Sequence, residues 1–260
     1  MFNCFVQRSL MIKINNIGIL LAVLINTANA NAASSDEIQV YDDSINQPGE
    51  LNVDNHINYV PEGIKEKARY QEVPAHHNFR FTPEFAYGLT KNWEAGFYIP
   101  TIRSGNGDWY IEGAKVRLKY IADHAEHGFY WGINQELAKT TYRTDDVPWN
   151  YELRCILGYK IGSWNLVTNP IFGFALSGHS HTPKFTPDFR VVNQISEKVA
   201  LGIEQYMDLG PINQLRSHVQ ETYLTIDTVI LKNAVQFGIG HGWTKESNDT
   251  TVKVIYNIPL

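Results

Sequence analysis

The sequence predicts an all-β fold: a transmembrane, antiparallel, up-and-down β-barrel of about twelve strands. Three observations support this prediction. Apolar and polar residues alternate through most of the chain after residue 50, and long helical periodicity is absent. Most alternating segments are about ten to thirteen residues long, whereas strands of soluble proteins average about five to six. Short and longer connections also alternate along the chain, as they do in outer-membrane barrels.

Residues 1–32 have the features of a secretory signal peptide. Arg8 and Lys13 precede an apolar run at 17–25, and small residues follow at 28–32. The apolar run is too short to span a bilayer. A buried apolar strand is the alternative interpretation. This segment would direct export of the chain to the periplasm of a Gram-negative bacterium and would be removed by cleavage.

The mature chain would be acidic and would contain one cysteine. Loss of two bases and no acid leaves 20 basic and 27 acidic residues, a net charge of −7, which argues against a nucleic-acid partner. Cys4 leaves with the signal, so Cys155 cannot form an intramolecular disulfide. The polar stretch 33–50 is assigned to a periplasmic N-terminal segment, and whether it plugs the barrel stays open.

The barrel is assigned to residues 51–260, and each strand follows from apolar residues on alternate positions. In chain order the predicted strands span 51–60, 77–89, 93–101, 110–122, 128–139, 149–161, 164–176, 185–195, 199–209, 220–229, 233–243 and 250–260. For ten of them the alternating apolar residues are, in order, Leu51, Val53, Ile57 and Tyr59; Phe79, Phe81, Phe85, Tyr87 and Leu89; Trp93, Ala95, Phe97 and Ile99; Tyr110, Ala114, Val116, Leu118 and Tyr120; Phe129, Trp131, Ile133 and Leu137; Trp149, Tyr151, Leu153, Cys155, Leu157 and Tyr159; Leu201 and Ile203; Leu224 and Ile226; Val235, Phe237 and Ile239; Val252, Val254, Tyr256, Ile258 and Leu260. A tilted strand that crosses a bilayer needs about nine to eleven residues, which these segments provide.

The connections fall into two alternating sets. The short ones read "TKN", "DHAEHG", "GS", "SEK" and "LKN", and the others, such as "PEGIKEKARYQEVPAH" and "GPINQLRSHVQ", are longer. Short periplasmic turns and longer extracellular loops are typical of outer-membrane barrels. An even number of strands then places both chain ends on the periplasmic side.

Alternation alone does not decide whether the apolar face meets lipid or a protein core. Aromatic residues near both ends of the strands favour lipid, because amphipathic rings are enriched at the two bilayer interfaces. A soluble periplasmic β-sandwich or lipocalin-like barrel is the alternative. Prolines weigh against embedded strands because they remove ladder hydrogen bonds, and β-bulges would have to accommodate them. These prolines are Pro83, Pro100, Pro170 and Pro187.

Several stretches carry a family resemblance. They include "EIQVYDDSINQPGELNVDNHINYV", "FTPEFAYGLTKNWEAGFYIP", "GAKVRLKYIA", "WGINQEL", "ELRCILGYK", "NPIFGFALSG", "LGIEQYMDLGP" and "FGIGHGWT". Across nearly the whole mature chain they resemble a group of bacterial outer-membrane barrel transporters that are similar to proteins of the MetA pathway of phenol degradation. The resemblance implies passage of small compounds, hydrophobic or aromatic ones included, without identifying a substrate.

The inward face of such a barrel would carry charges of both signs. The residues expected to line the lumen are Arg80, Glu84, Glu94, Lys115, Arg117, Lys119, Glu136, Glu152, Arg154, Asp188, Arg190, Glu204 and Asp227. Because an unpaired buried charge is costly, these groups are expected to pair. The basic stripe 115–119 would find partners among acids on flanking strands. A porin-like channel for small solutes and a closed structural or surface-binding barrel are both compatible with this face.

Catalytic residues, metal ligands and cofactors are not expected. The loop "SGHSHTPK", at 177–184, contains serine and histidine, but its spacing differs from that of lipid-hydrolysing barrels. A lipid-modifying enzyme is therefore the least favoured alternative. The pairs His124 with His127 and His76 with His77 are interpreted as loop residues. Expected partners are outer-membrane lipid, a small solute and the barrel-assembly machinery, with the oligomeric state open.

Overall fold

The computed structural model describes residues 36–145, 147–177 and 182–260. The regular elements of these ranges are all β-strands. They include no helix long and apolar enough to cross a membrane. The predicted signal peptide at 1–32 lies outside the described residues.

Sixteen β-strands are present within those ranges. They are β1 (Leu51–Glu62), β2 (Phe79–Gly88), β3 (Trp93–Tyr98), β4 (Thr101–Arg103), β5 (Trp109–Ile111), β6 (Gly113–Ile121), β7 (Gly128–Thr140), β8 (Trp149–Ile161), β9 (Trp164–Asn169), β10 (Ile171–Ala175), β11 (Lys184–Phe185), β12 (Asp188–Ser196), β13 (Val199–Asp208), β14 (Val219–Ile230), β15 (Asn233–Gly242) and β16 (Thr250–Pro259).

These segments form a closed barrel of twelve antiparallel strands. Four barrel strands consist of two consecutive segments each: β3 with β4, β5 with β6, β9 with β10, and β11 with β12. Each barrel strand pairs with its neighbours in the chain, and β1 pairs with both β2 and β16, which closes the sheet. Closure satisfies the backbone groups that an open sheet edge would expose to lipid. The predicted fold class is confirmed.

Prolines account for most of the breaks within barrel strands. Pro100 lies between β3 and β4, Pro170 between β9 and β10, and Pro187 between β11 and β12, whereas Pro83 lies inside β2. A proline has no N–H to donate, so the ladder is interrupted locally. Its carbonyl still accepts, as that of Pro170 does from the N–H of Cys155 at 2.9 Å. The barrel therefore tolerates these residues.

One strand departs from the predicted alternation. The registers of β4 with β5 and of β3 with β6 differ by one residue, which defines a β-bulge at Glu112. The bulge reverses the faces of β5. Ile111 is exposed, while Tyr110 is half-buried opposite the buried Ile102, with the Arg143 guanidinium carbon 4.0 Å from its ring centre. Placing Tyr110 on the outward apolar face is therefore wrong.

Elsewhere the two faces of the barrel differ as the alternation predicts. In the β2–β3 hairpin, the outward Phe85 and Phe97 are 40% and 41% exposed. The inward Glu84, Glu94 and Tyr98 are buried. Large apolar side chains thus remain exposed around the outside of the barrel, where a bilayer would cover them.

Residues 36–46 lie inside the barrel, and we refer to them as the inner segment. Its residues Ile38, Val40 and Tyr41 belong to one buried apolar cluster. The wall residues of this cluster are Ile121, Tyr130, Ile156, Val167, Tyr206 and Tyr223. The sequence left open whether 33–50 plugs the barrel, and the part 36–46 lies in the barrel interior.

Candidate functional site: the barrel interior

Wall side chains satisfy the backbone of the inner segment. Asn169 binds Tyr41 twice: its Oδ1 accepts from the Tyr41 N–H at 2.7 Å, and its Nδ2 donates to the Tyr41 carbonyl at 2.9 Å. Arg154 Nη1 donates to the Gln39 carbonyl at 2.9 Å. An extended chain with no strand partner is thereby held by the polar inner wall, as buried backbone groups require.

Both ends of the inner segment are also anchored. Lys253 Nζ donates to the Ile38 carbonyl at 2.9 Å. The N–H of Asn46 donates to Glu94 Oε2 at 2.7 Å, and Lys115 forms an ion pair with Asp36. The contacts span several strands of the wall, so the segment crosses the interior.

A first charged cluster joins β2, β3 and β6. Arg117 Nε donates to Glu84 Oε1 at 2.5 Å, and its Nη2 donates to Glu94 Oε1 at 2.7 Å. Lys119 Nζ lies 3.1 Å from the same Glu94 oxygen. Both cations lie near the Tyr41 ring, Lys119 at 5.3 Å and Arg117 at 5.7 Å from its centre. Arg117 and Lys119 of the basic stripe are therefore neutralised by acids of β2 and β3.

A second cluster joins β12, β13, β14 and β16. Lys253 Nζ lies 2.5 Å from Glu204 Oε2, and Arg190 Nε lies 3.2 Å from Glu204 Oε1. Arg190 also pairs with Asp227 and, at 3.8 Å, with Asp42 of the inner segment. These side chains connect the last strand of the barrel to the inner segment.

Asp42 stays ionised in this setting. Burial alone would raise the pKa of its carboxyl group, but the Arg190 guanidinium and hydrogen bonds from Ser44 outweigh burial, so the pKa is lowered from its usual value. The inner segment is thus held partly by a carboxylate that keeps its charge at neutral pH.

A third cluster involves β7, β8 and β12. Arg154 Nε lies 3.1 Å from Glu152 Oε1, and its Nη1 lies 3.9 Å from Asp188 Oδ2. Glu136 accepts a hydrogen bond from Asn134 Nδ2 at 2.8 Å. The Arg154 guanidinium carbon is also 4.5 Å from the centre of the Tyr41 ring.

The thirteen residues predicted to line the lumen are thus distributed over three clusters and two separate pairs. Lys115 pairs with the inner segment, and Arg80 pairs with Glu112 at 2.9 Å. Sequence reasoning missed Glu112, because the bulge breaks the alternation there. It also missed Asp36 and Tyr41, because their contacts depend on the path of the inner segment.

Three of the loop histidines considered in the sequence analysis contact neighbouring side chains. His124 Nε2 lies 3.2 Å from Asp43 Oδ2, which also accepts from Lys160 Nζ at 2.5 Å. The rings of His76 and His77 contact each other, with centres 3.9 Å apart. Residues 178–181 of the serine- and histidine-containing loop lie outside the described residues.

Inward tyrosines pack on glycines of neighbouring strands. A Cβ built at Gly158 would lie 2.0 Å from the Tyr130 ring, and one at Gly240 would lie 2.4 Å from the Tyr223 ring. The missing side chains leave room for the rings, so these glycines serve packing inside the barrel.

Two cavities with charged side chains in their lining flank the inner segment. One, of about 480 Å³, lies among the short turns and is lined by Asp42, Lys160 and Arg190. The other, of about 310 Å³, is lined by Tyr41, Glu94 and Arg190 among others. Each cavity has wall charges of both signs, so water and small polar molecules are compatible with both.

Comparison with solved structures places the fold among outer-membrane barrels. The COG4313 outer membrane channel from Pseudomonas putida F1 is similar with a TM-score of 0.60 and 10% identity, over 86% of this chain and 100% of that one. The KdgM porin gives a TM-score of 0.55 and 8% identity, over 79% and 97% of the two chains. The NanC porin gives 0.50 and 11%, over 80% and 98%.

At these identities the similarity concerns the fold alone. No family model matches the sequence, and the search of curated proteins found no significant match. The fold, with its apolar outer face, is that of a β-barrel of the outer-membrane type. These three similar barrels are a channel and two porins.

Proposed function

We propose that the protein is an outer-membrane channel for passive passage of small solutes. The polar interior is the observation that carries this proposal: ion-paired side chains and two cavities surround the inner segment. Twelve strands enclose more space than an eight-stranded barrel, whose interior side chains can fill. Insertion into outer-membrane lipid by the barrel-assembly machinery belongs to the same proposal, and catalysis does not.

The charges of the interior favour small neutral or zwitterionic solutes. The thirteen proposed lining residues comprise six bases and seven acids, so the pathway has no strong preference for one sign. One similar porin was solved in complex with disordered oligogalacturonate. A polyanion of that kind fits a nearly balanced interior poorly, because selection of an anion requires an excess of positive charge. The resemblance to the phenol-degradation group supports small aromatic compounds as solutes of the proposed channel.

The inner segment sets the width of the proposed pathway. Solutes would pass through the cavities beside it, or the segment would have to move. Single-channel conductance in planar bilayers tests this for the wild-type barrel. A variant in which 36–46 is replaced by a Gly/Ser stretch of equal length is the comparison, and replacement of the loop residues 212–217 is the matched control.

We expect a small conductance for the wild-type protein and the loop control, and a clearly larger one for the inner-segment variant. Folding of each is checked by heat-modifiable migration on SDS gels. Absence of current and of liposome swelling from both the folded wild type and the folded inner-segment variant would refute the channel. That result would favour the second candidate, a closed structural or surface-binding barrel. The many contacts that anchor the inner segment support this candidate.

A further inference from the structure

A histidine and two carboxylates meet where the inner segment passes β1 and β2. One ligand atom each of Glu37, His56 and Glu84 lies within 4.8 Å of those of the other two. His56 Nε2 is 3.2 Å from Glu84 Oε2, and the two side chains are 0% and 2% exposed. We propose that these three residues bind a divalent transition-metal ion such as Zn²⁺, which ties the inner segment to the barrel wall.

Neighbouring groups orient both carboxylates. Arg117 Nε donates to Glu84 Oε1 at 2.5 Å, so the other oxygen faces His56. The Tyr41 hydroxyl donates to Glu37 Oε1, so the second oxygen of Glu37 is free for an ion. Metal-binding carboxylates are commonly fixed by such additional hydrogen bonds.

The ring nitrogen of His56 that faces the carboxylates is Nε2. It lies 3.2 Å from Glu84 Oε2, close to the separation of two ligands of one tetrahedral Zn²⁺ ion with bonds of about 2.0–2.2 Å. A neutral ring can therefore bind the ion through Nε2, beside the Glu84 oxygen that Arg117 leaves free.

The donor set indicates the kind of metal. Imidazole with carboxylates suits Zn²⁺ and neighbouring transition metals, whereas Ca²⁺ and Mg²⁺ prefer oxygen ligands alone. Asp54 and Glu84 also line the cavity of about 310 Å³. That cavity gives an ion a route to the site and provides space for water as a remaining ligand.

Metal titration of the folded, untagged mature chain tests the site. After chelator treatment, Zn²⁺ binding is measured by calorimetry, and Co²⁺ binding by its visible absorption. We expect one ion per chain for the wild type. His56→Gln and Glu37→Gln should each weaken binding at least about tenfold. His127→Gln, in an exposed periplasmic turn, is the matched control and should bind as the wild type does.

The outcomes separate clearly. Absence of stoichiometric Zn²⁺ and Co²⁺ binding by the folded wild type overturns the proposal and leaves the contact between His56 and Glu84 as a hydrogen bond within the barrel wall. Unchanged binding in both folded variants also overturns it. If one variant fails to fold, the other decides, because each removes one ligand. Channel conductance is a separate measurement, so failure of this site leaves the proposed channel function untouched.

Discussion

Replacement of Lys253 by methionine should destabilise the barrel by removing a buried charge from the interior. The ammonium group is fully buried; it bonds Glu204 at 2.5 Å, the Ile38 carbonyl at 2.9 Å and the Tyr206 hydroxyl at 3.3 Å. Methionine matches the length of lysine but supplies no donor. Lys253→Met therefore leaves a carboxylate and a backbone carbonyl without their shared partner.

The expected loss follows from what remains at the site. Removing one member of a buried ion pair costs about 3–5 kcal/mol. Arg190 still lies 3.2 Å from Glu204 and compensates part of the negative charge that the Glu204 carboxylate keeps after Lys253 is removed. We therefore expect Lys253→Met to lower the free energy of unfolding by about 3 kcal/mol, the lower end of that range.

Equilibrium urea unfolding in detergent micelles measures this difference by tryptophan fluorescence. Lys91→Met is the matched control: Lys91 pairs with Asp123 at 2.6 Å, but its side chain is 70% exposed, and water and salt screen such pairs. Glu204→Gln added to Lys253→Met should recover part of the loss by removing the unbalanced carboxylate. Equal stabilities of Lys253→Met and Lys91→Met would refute the reasoning.

Three further predictions concern other parts of the barrel. Gly158→Ala should cost about 1–3 kcal/mol of unfolding free energy because its Cβ would meet the Tyr130 ring; in the same urea assay the control Gly173→Ala, which has open space, should cost less, and equal losses would contradict this. The lowered pKa of Asp42 means that its charge stabilises the fold above the unfolded-state pKa of about 3.9 and that this contribution is lost as the pH falls through the folded-state pKa. Unfolding measured from pH 8 to 3 should therefore show a constant deficit for Asp42→Asn down to about pH 5, shrinking below about pH 4; a deficit that disappears near neutrality would exclude this. Cys155 should react in proteoliposomes with a lipid-soluble maleimide but not with a charged one, and equal labelling would contradict its lipid-facing position.

The strands were predictable because their signals are local. Alternation over ten to thirteen residues fixes which side chains share a face, and bilayer thickness fixes the strand length. All twelve predicted segments correspond to barrel strands. The bulge at Glu112 was not predictable, because one inserted residue reverses the faces without changing the composition of the strand.

The inner segment could not be placed from sequence, because its contacts are remote along the chain. Tyr41 binds Asn169, 128 residues away, and Ile38 binds Lys253, 215 residues away. Nothing in the local pattern of 36–46 specifies these partners. The candidate metal site could not be predicted for the same reason, because Glu37 lies near His56 and Glu84 only through the path of the inner segment.

The sequence separation between Ile38 and Lys253 has a consequence for biogenesis. Lys253 lies on β16, the last strand of the chain and the strand that closes the barrel against β1. Contacts between residues this far apart carry a large loop-closure cost and form late during folding. The inner segment therefore acquires this anchor only after the last strand has been added. A chain that ends before β16 would lack both this anchor and the strand that closes the barrel, so the full set of contacts of the inner segment forms only in a completed barrel.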